Sequence, residues 1–529
     1  MTSFRLTPEQ AKKLSTAEQY EWFRRATSRR NLLRGGIAGA GALAAGTVLG
    51  GTANAATTAT STGPTLFTPT GPSAGVTTAP FGQHIAFGPN PADSIAVGWQ
   101  VRDAVSNPYL RIAEVPGQWG EKLSADVRAL ATLKGDTSPV DSVPLVNPGT
   151  IEQYYLHVPI SKLRPGATYY YTLGHDGWDS PETFGSFTTA PAGRVPFRFT
   201  AFGDEGVTYD SVATAQQVRG LRPAFHLHAG DISYAEDGGD GLLTDSYDPR
   251  VWDSWFAQSA PAAGSIPWQV AVGNHEMESW YPQNGYAGQH ARWDFPNGTD
   301  GPTYYSFTYG NVAVLSLDAN DVSYEIPANF GYSGGAQVAW INKTLAAYRA
   351  DPSIDFIVAY FHHCAYSTCT SHGSEGGARQ YFVPLFDKYS VDLVINGHNH
   401  IYERNNPLIG GSQTSTAPIG STITAATQGT TYVVAGGAGE SLYKFDAPDS
   451  YEGDVNNDAS ISSYVNEASG EVAQTVTWSQ VRYTGYNLLV VDSAPASYPG
   501  GTSKLAVRGL NEDGQELDNF TLARKSRFF

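Results

Sequence analysis

Seven short apolar runs beyond residue 195 each end in a polar cluster: FRFTAFGDEG, AFHLHAGDISY, WQVAVGNHE, VAVLSLDAN, DFIVAYFHH, VDLVINGHNH and TYVVAGGAG. Apolar runs of this length, bounded by turn residues, read as buried strands. Helical stretches alternate with several of them, as in GAQVAWINKTLAAYRA (335–350) and GARQYFVPLFDKYS (377–390). Buried strands joined by helices make an α/β domain, in which ligand-binding groups collect beyond the carboxyl ends of the strands. The polar clusters stand at those ends. After about residue 447 the chain turns polar and irregular, and YNLLVVDS and KLAVRGL then read as terminal strands.

The preceding part has a different grammar. Between Gln83 and Thr189 short strands alternate with turns and no helical period appears. SIAVGWQV puts Ile95, Val97 and Trp99 on one face, as an alternating strand should. LRPGATYYYTLG is a Pro-Gly turn followed by a tyrosine-rich strand, and the unit resembles an all-β fibronectin type III-like sandwich spanning 81–190. PAGRVPF (191–197) reads as the linker to an α/β domain over 195–525. Two domains suit a chain of 529 residues, which exceeds what one core usually serves.

The N-terminus reads as an address. Arg29 and Arg30 in SRRNLLRGG, a Gly/Ala-rich apolar run over 37–49 and ANA at 53–55 resemble a twin-arginine export signal over 1–55, cleaved after Ala55. The run is too short and glycine-rich to span a bilayer. Residues 56–80 read as a flexible leader. The expectation is a secreted protein, and twin-arginine export carries folded cargo with its cofactor in place, which hints at a metal. Removal of 1–55 leaves 25 Lys/Arg against 47 Asp/Glu, a net charge of −22. So acidic a body disfavours a nucleic-acid-binding surface. An anionic substrate would need positive charge supplied within the site.

The polar clusters carry metal-binding side chains. Asp204 follows one strand, Asp231 and Tyr234 lie three apart after the next, and Asn274 and His275 follow a third. His362 ends a strand, and His398 and His400 alternate after another. Residues two apart in an extended segment face opposite ways, so this last pair suits two metals better than one. Glycine precedes Asp204, Asp231, Asn274 and His398, where the chain is expected to turn sharply. His226 and His228 read as strand-packing residues.

Together GD-x-G, GD-x2-Y, GNHE, a strand-terminal His and GH-x-H resemble the five blocks of the purple acid phosphatases, within the calcineurin-like metallophosphoesterases. The resemblance implies an αββα layered sandwich around a dinuclear centre. It places a trivalent iron on Asp204, Tyr234 and His400. A divalent ion (Fe, Zn or Mn) would sit on Asn274, His362 and His398, with Asp231 bridging the two. Two carboxylates and a phenolate against Fe(III) and M(II) leave the site net positive, as a phosphate group requires. The implied reaction is in-line attack of metal-activated hydroxide on a phosphate monoester. His275 would protonate the leaving group, and Glu276 would orient His275.

In HHCAYSTCTSH (362–372) the resemblance makes His362 a ligand and His372 a phosphate-binding or proton-donating group. His363 reads as a packing or surface residue. Cys364 and Cys369, the two cysteines of the chain, are five apart and allow one small disulfide loop. The function implied is a secreted acid phosphatase-like enzyme acting on small phosphorylated substrates. The alternatives are a phosphodiesterase or nucleotide-processing enzyme on the same core, or a surface binding protein with an inactive catalytic domain. A missing ligand would favour the last, and all seven are present.

Overall fold

Alternation along VAVLS and FIVAY decides how the layers stack. In the strands Val312–Ser316 and Phe356–Phe361 every residue is buried. Val312, Val314, Val358 and Tyr360 enter one core, together with Leu393, Ile395 and Val433. Their sequence neighbours Ala313, Leu315, Ile357, Ala359 and Phe361 enter another, against Ile341, Leu345, Phe382 and Phe386. Successive side chains on a strand point to opposite faces, so this sheet is covered on both sides. The second core is the layer of helices Ala336–Ala350, Gly376–Tyr381 and Val383–Tyr389. The first core is shared with Phe199, Leu227, Leu489 and Val507 of a second sheet. Truncating a side chain such as Leu315 to alanine should cost ~2–5 kcal/mol.

The structure, a computed structural model, describes residues 65–67, 78–134, 149–179, 183–242, 245, 247–279, 281, 284–297, 301–445, 458–466 and 470–528. The export-signal reading of 1–55 lies outside the described residues. No helix among the described residues is long and apolar enough to cross a membrane.

Each of the two large sheets of the catalytic region has seven strands among the described residues. In one, Phe197–Phe202, Phe225–His228 and Trp268–Val270 run parallel side by side. In the other, Val312–Ser316, Phe356–Phe361, Leu393–Asn396 and Thr431–Ala435 run parallel. Tyr360 Oη donates to Gln269 O at 3.1 Å and ties the two sheets together. The expected terminal strands form as Asn487–Ala494 and Thr502–Asn511, joined by Glu516–Lys525, and extend the first sheet antiparallel to Phe197–Phe202. The polar stretch read as irregular contains a hairpin, Asp458–Asn466 with Gly470–Val476. In Gly470–Val476 exposed and half-buried residues alternate, but only Val476 is buried, so the strand carries no strong apolar alternation for hydropathy to show.

The helix Tyr209–Leu221 begins soon after Asp204 through a reciprocal cap. Thr208 Oγ1 accepts from Ser211 N, and Ser211 Oγ accepts from Thr208 N. Such a cap is worth ~1 kcal/mol and fixes where the preceding loop stops.

The N-terminal part is two antiparallel sheets with no helix among the described residues of 81–190. One sheet rests on the catalytic region. Gln100 and Gln153 donate to Asp253, and Arg128 and His157 pair with Asp294. Gly82, at φ +63°, lies so close to the helix Arg250–Ala263 that an added Cβ would meet Phe256 Cβ at 2.8 Å. That helix sends Trp255 Nε1 to Glu205 Oε2 at 2.9 Å, beside Asp204. The sandwich thus buttresses the element that backs the polar loops.

Candidate metal centre

The three parallel strands of the first sheet deliver Asp204, Asp231 with Tyr234, and Asn274 from their carboxyl ends. Two adjacent parallel strands of the second deliver His362, and His398 with His400. The loops are zipped across strands: Asp204 N donates to Gly230 O, Glu205 N to Asp231 O, and Gly397 N to His362 O. Nine non-glycine residues have positive φ among the described residues, and four of them are Asp204, Asp231, Tyr234 and His398. Each such left-handed residue costs ~1–3 kcal/mol, a strain that concentrates at functional sites. The preceding glycines serve mainly for close approach rather than for turning. At Gly273 a Cβ would lie 2.1 Å from Asp231 Oδ1, and at Gly397 2.7 Å from Asp204 Oδ2.

All seven side chains converge. Tyr234 Oη lies 3.0 Å from His400 Nε2 and 3.4 Å from Asp204 Oδ1. His400 Nε2 is itself 3.4 Å from Asp204 Oδ1. His362 Nε2 lies 2.9 Å from Asp231 Oδ2, 3.1 Å from His398 Nδ1 and 3.9 Å from Asp204 Oδ1. Asn274 donates through Nδ2 to Gly239 O, leaving its buried Oδ1 without a partner. Asp204 Oδ2 is buried and unpartnered too.

The donor set fits cations. His362 Nδ1 faces Ala229 O and His400 Nδ1 faces Ser441 O, while His398 Nε2 faces Glu325 Oε2. Carbonyls and carboxylates only accept, so those ring nitrogens carry the protons. The opposite nitrogens of neutral rings then present lone pairs inward, toward each other and toward carboxylates. Acceptors facing acceptors in a buried site repel one another unless a cation or a proton lies between them. In the metal-free protein burial lowers the His362 pKa, but Asp231 and Asp204 outweigh it and raise the group to about 9, so a proton takes that place. Burial, Asp204 and Asp231 hold the Tyr234 phenol well above its ordinary value, so its ionisation requires a strong Lewis acid.

A cavity of about 410 Å³ opens on this cluster, lined by Asp231, Asn274, His275, His372, His398 and His400, among others. Among the described residues no lysine or arginine lines it, and Asp237, Asp240 and Glu325 do. Among them the groups suited to hold phosphate are the histidines, Asn274 and Tyr443, with the charge of any bound metal.

Residues 197–402 match the calcineurin-like phosphoesterase family, and residues 80–189 match the purple acid phosphatase N-terminal domain. Purple acid phosphatase 23 of Arabidopsis thaliana is 28% identical over 65% of this chain and 78% of its own length. The chain belongs to the purple acid phosphatase family. An uncharacterized protein of Mycobacterium tuberculosis is 32% identical over 84% of this chain and 87% of its own length. The fold is that of purple acid phosphatase PPD1 from yellow lupin, with a TM-score of 0.63, 22% identity, and coverage of 85% of this chain and 75% of that one. As a purple acid phosphatase the chain is a metal-dependent phosphoric ester hydrolase, and the family implies a dinuclear metal centre.

Several neighbours of the phosphatase site depart from expectation. Glu276 does not hold His275. It is fully buried and accepts from three backbone donors: Asp231 N at 2.8 Å, Ile232 N at 2.9 Å and Gly273 N at 2.7 Å. The partner of His275 is Glu236, whose carbonyl accepts from Nδ1 at 2.7 Å and whose carboxylate lies 3.6 Å away. Burial lowers the His275 pKa, but Asp231 and Glu236 raise it well above the ordinary value, while burial pushes Glu236 up to about 7. Glu236 sits among the acidic and glycine residues of YAEDGG, where nothing in the sequence singles it out. His372 reaches the cavity, with Nδ1 at 2.5 Å from Glu325 Oε1. His363 is fully buried, its ring 4.4 Å from that of His398, so packing is its place and the surface is not.

The anticipated disulfide is absent, and both cysteines are free buried thiols. Cys364 Sγ donates to Gly397 O at 2.9 Å, directly behind His398. The backbone of Cys369 pairs antiparallel with that of Phe445. The segment between His362 and His372 is held by Glu403, which accepts from Ser367 Oγ, Thr368 N and Thr368 Oγ1.

Proposed function

We propose that this phosphatase is a secreted enzyme that hydrolyses phosphate monoesters at an Fe(III)–M(II) centre. The observation that carries the reading is Tyr234, whose hydroxyl stands 3.0 Å from His400 Nε2 within the Asp204 cluster. A phenolate is a hard anionic ligand suited to trivalent iron. Asp204, Tyr234 and His400 would hold that ion, Asn274, His362 and His398 the divalent one, and Asp231 would bridge. When bound, such a centre supplies a hydroxide from water near neutral pH and screens charge building on phosphorus.

The chain's own groups complete the reaction. His275 keeps its Nδ1 proton on Glu236 O and turns Nε2 to the cavity, 3.9 Å from Asp231 Oδ2. From there Nε2–H can donate to the leaving oxygen. His372, which also lines the cavity, would hold a non-bridging phosphoryl oxygen. Export rests on the Arg29–Arg30 signal, and the domain limits 81–190, fibronectin type III-like, and 195–525 rest on the strand grammar.

The test is a steady-state comparison of an aryl phosphate monoester with the corresponding bis-ester, alongside the visible spectrum. The reading expects faster monoester turnover and a tyrosinate-to-iron band that disappears in Tyr234→Phe. Faster bis-ester turnover would move the assignment to a phosphodiesterase. A colourless active enzyme would remove the iron.

A further inference from the structure

One carboxylate touches both the metal cluster and the substrate wall. Glu325 Oε1 lies 2.5 Å from His372 Nδ1, and Oε2 lies 3.1 Å from His398 Nε2. The two rings it joins are 4.0 Å apart at 33°. We propose that Glu325 is a positioning residue that sets the orientation and tautomer of His398 and His372 together, so that the phosphoryl-binding histidine is placed in register with the metal. The proposal rests on the phosphatase reading above.

Glu325 is held before it holds anything. The buried carboxylate of Glu375 accepts from Ser323 Oγ at 2.9 Å, Tyr324 N at 2.9 Å and Glu325 N at 3.2 Å. The same carboxylate caps the helix Gly376–Tyr381 through Gly377 N. The loop carrying Glu325 is thereby fixed to the helix that follows His372. The glutamate three residues after His372 in sequence is a scaffold, and the glutamate that contacts it comes from a loop 47 residues earlier.

An ionised carboxylate only accepts hydrogen bonds, so both facing ring nitrogens must carry protons. For His398 that leaves the Nδ1 lone pair directed at His362 Nε2, 3.1 Å away, where a divalent ion would be held. For His372 it leaves Nε2 on the cavity side, 3.4 Å from Tyr443 Oη. Tyr443 in turn stacks on His400 at 4.0 Å and 9°. A carboxylate behind a ligating histidine raises its basicity and fixes its ring, and loss of such a partner typically costs ~10–100-fold in metal affinity or activity. Here one group does this for a ligand and for a substrate contact at once.

The experiment compares the full-length metal-loaded protein with Glu325→Gln, Glu325→Asp, His372→Ala and the Glu325→Gln/His372→Ala pair. Calorimetry with inorganic phosphate gives the anion affinity, metal retention against a chelator gives the ion affinity, and kcat and KM are measured in parallel. Glu325→Gln should weaken phosphate binding ~10-fold or more and also release metal at lower chelator concentration. His372→Ala should weaken phosphate binding with metal retention unchanged. With metal kept saturating, the phosphate losses should not add in the double variant, because the loss that remains in Glu325→Gln acts through His372. Glu325→Asp keeps the charge without the reach and should lose most of the same affinity. Wild-type phosphate and metal binding in Glu325→Gln, or phosphate losses that add, would overturn the role. Failure of the phosphatase reading has a different signature, a parent protein without metal or turnover, and takes both down.

Discussion

Replacing Glu276 with glutamine separates a scaffold from a catalytic partner. The side chain is isosteric, so the effect can be worked from the bonds. Glu276 Oε2 accepts from Asp231 N and Gly273 N, and Oε1 accepts from Ile232 N. An amide has one acceptor oxygen, so its NH2 must face at least one of these buried donors. Leaving a buried backbone N–H unsatisfied costs ~1–3 kcal/mol, and the surviving bonds lose their charge assistance. About 2 kcal/mol, taken from the loop that presents Asp231, corresponds to about 30-fold in metal affinity. The assay is metal retention against a graded chelator at pH 8, above the value of about 7 to which burial and Asp231 raise Glu276. Glu276→Gln should lose metal about 30-fold more readily and recover kcat when metal is in excess. If the variant retains metal like the parent but slows on substrates with poor leaving groups, Glu276 orients His275 after all and the structural assignment fails.

Other outcomes follow from packing and burial. Gly273→Ala would drive a Cβ into Asp231 Oδ1, and should abolish metal loading, whereas Gly220→Ala, in the helix Tyr209–Leu221 with nothing within 4 Å, should leave loading unchanged and raise the melting temperature slightly. His84 is buried between the sandwich and Trp293, and burial followed by His157 lowers its pKa from 6.5 to about 4. A depressed histidine stabilises the fold above the unfolded-state value and loses that contribution as pH falls through the folded value. The gap is worth ~3 kcal/mol between pH 7 and 4, so urea unfolding of His84→Gln should show that much less pH dependence than the parent. Parallel curves would refute the assignment. Thiol titration should find two thiols on denaturation without reductant and none accessible in the native protein, as two free buried cysteines require.

The convergence of the strand-end side chains was legible because their signal is local. For Asp204, Asp231, Asn274 and His398 a buried apolar run, a glycine and a polar side chain follow one another, and the topology then needs only parallel strands side by side. Partnerships that cross the fold were not legible. Glu276 stands next to His275 in sequence, yet on this tight turn its carboxylate points back to the Asp231 loop. Glu236 and Glu325 each reach a histidine about 40 or more residues away through loops whose paths depend on tertiary contacts. The closure of the first sheet by Asn487–Ala494, far along the chain from Phe197–Phe202, is likewise a matter of long-range pairing. The cysteine spacing permitted a bridge but carried no direction, and Cys364 Sγ is turned to a backbone carbonyl instead.

Anomalous diffraction from crystals of the metal-loaded protein, collected above and below the iron edge, tests the central claim most directly. The account predicts two peaks per chain. An iron peak should lie among Asp204, Tyr234 and His400, and a second peak should lie among Asn274, His362 and His398, with Asp231 between them. A single peak, or a pair not shared by these seven side chains, would contradict it.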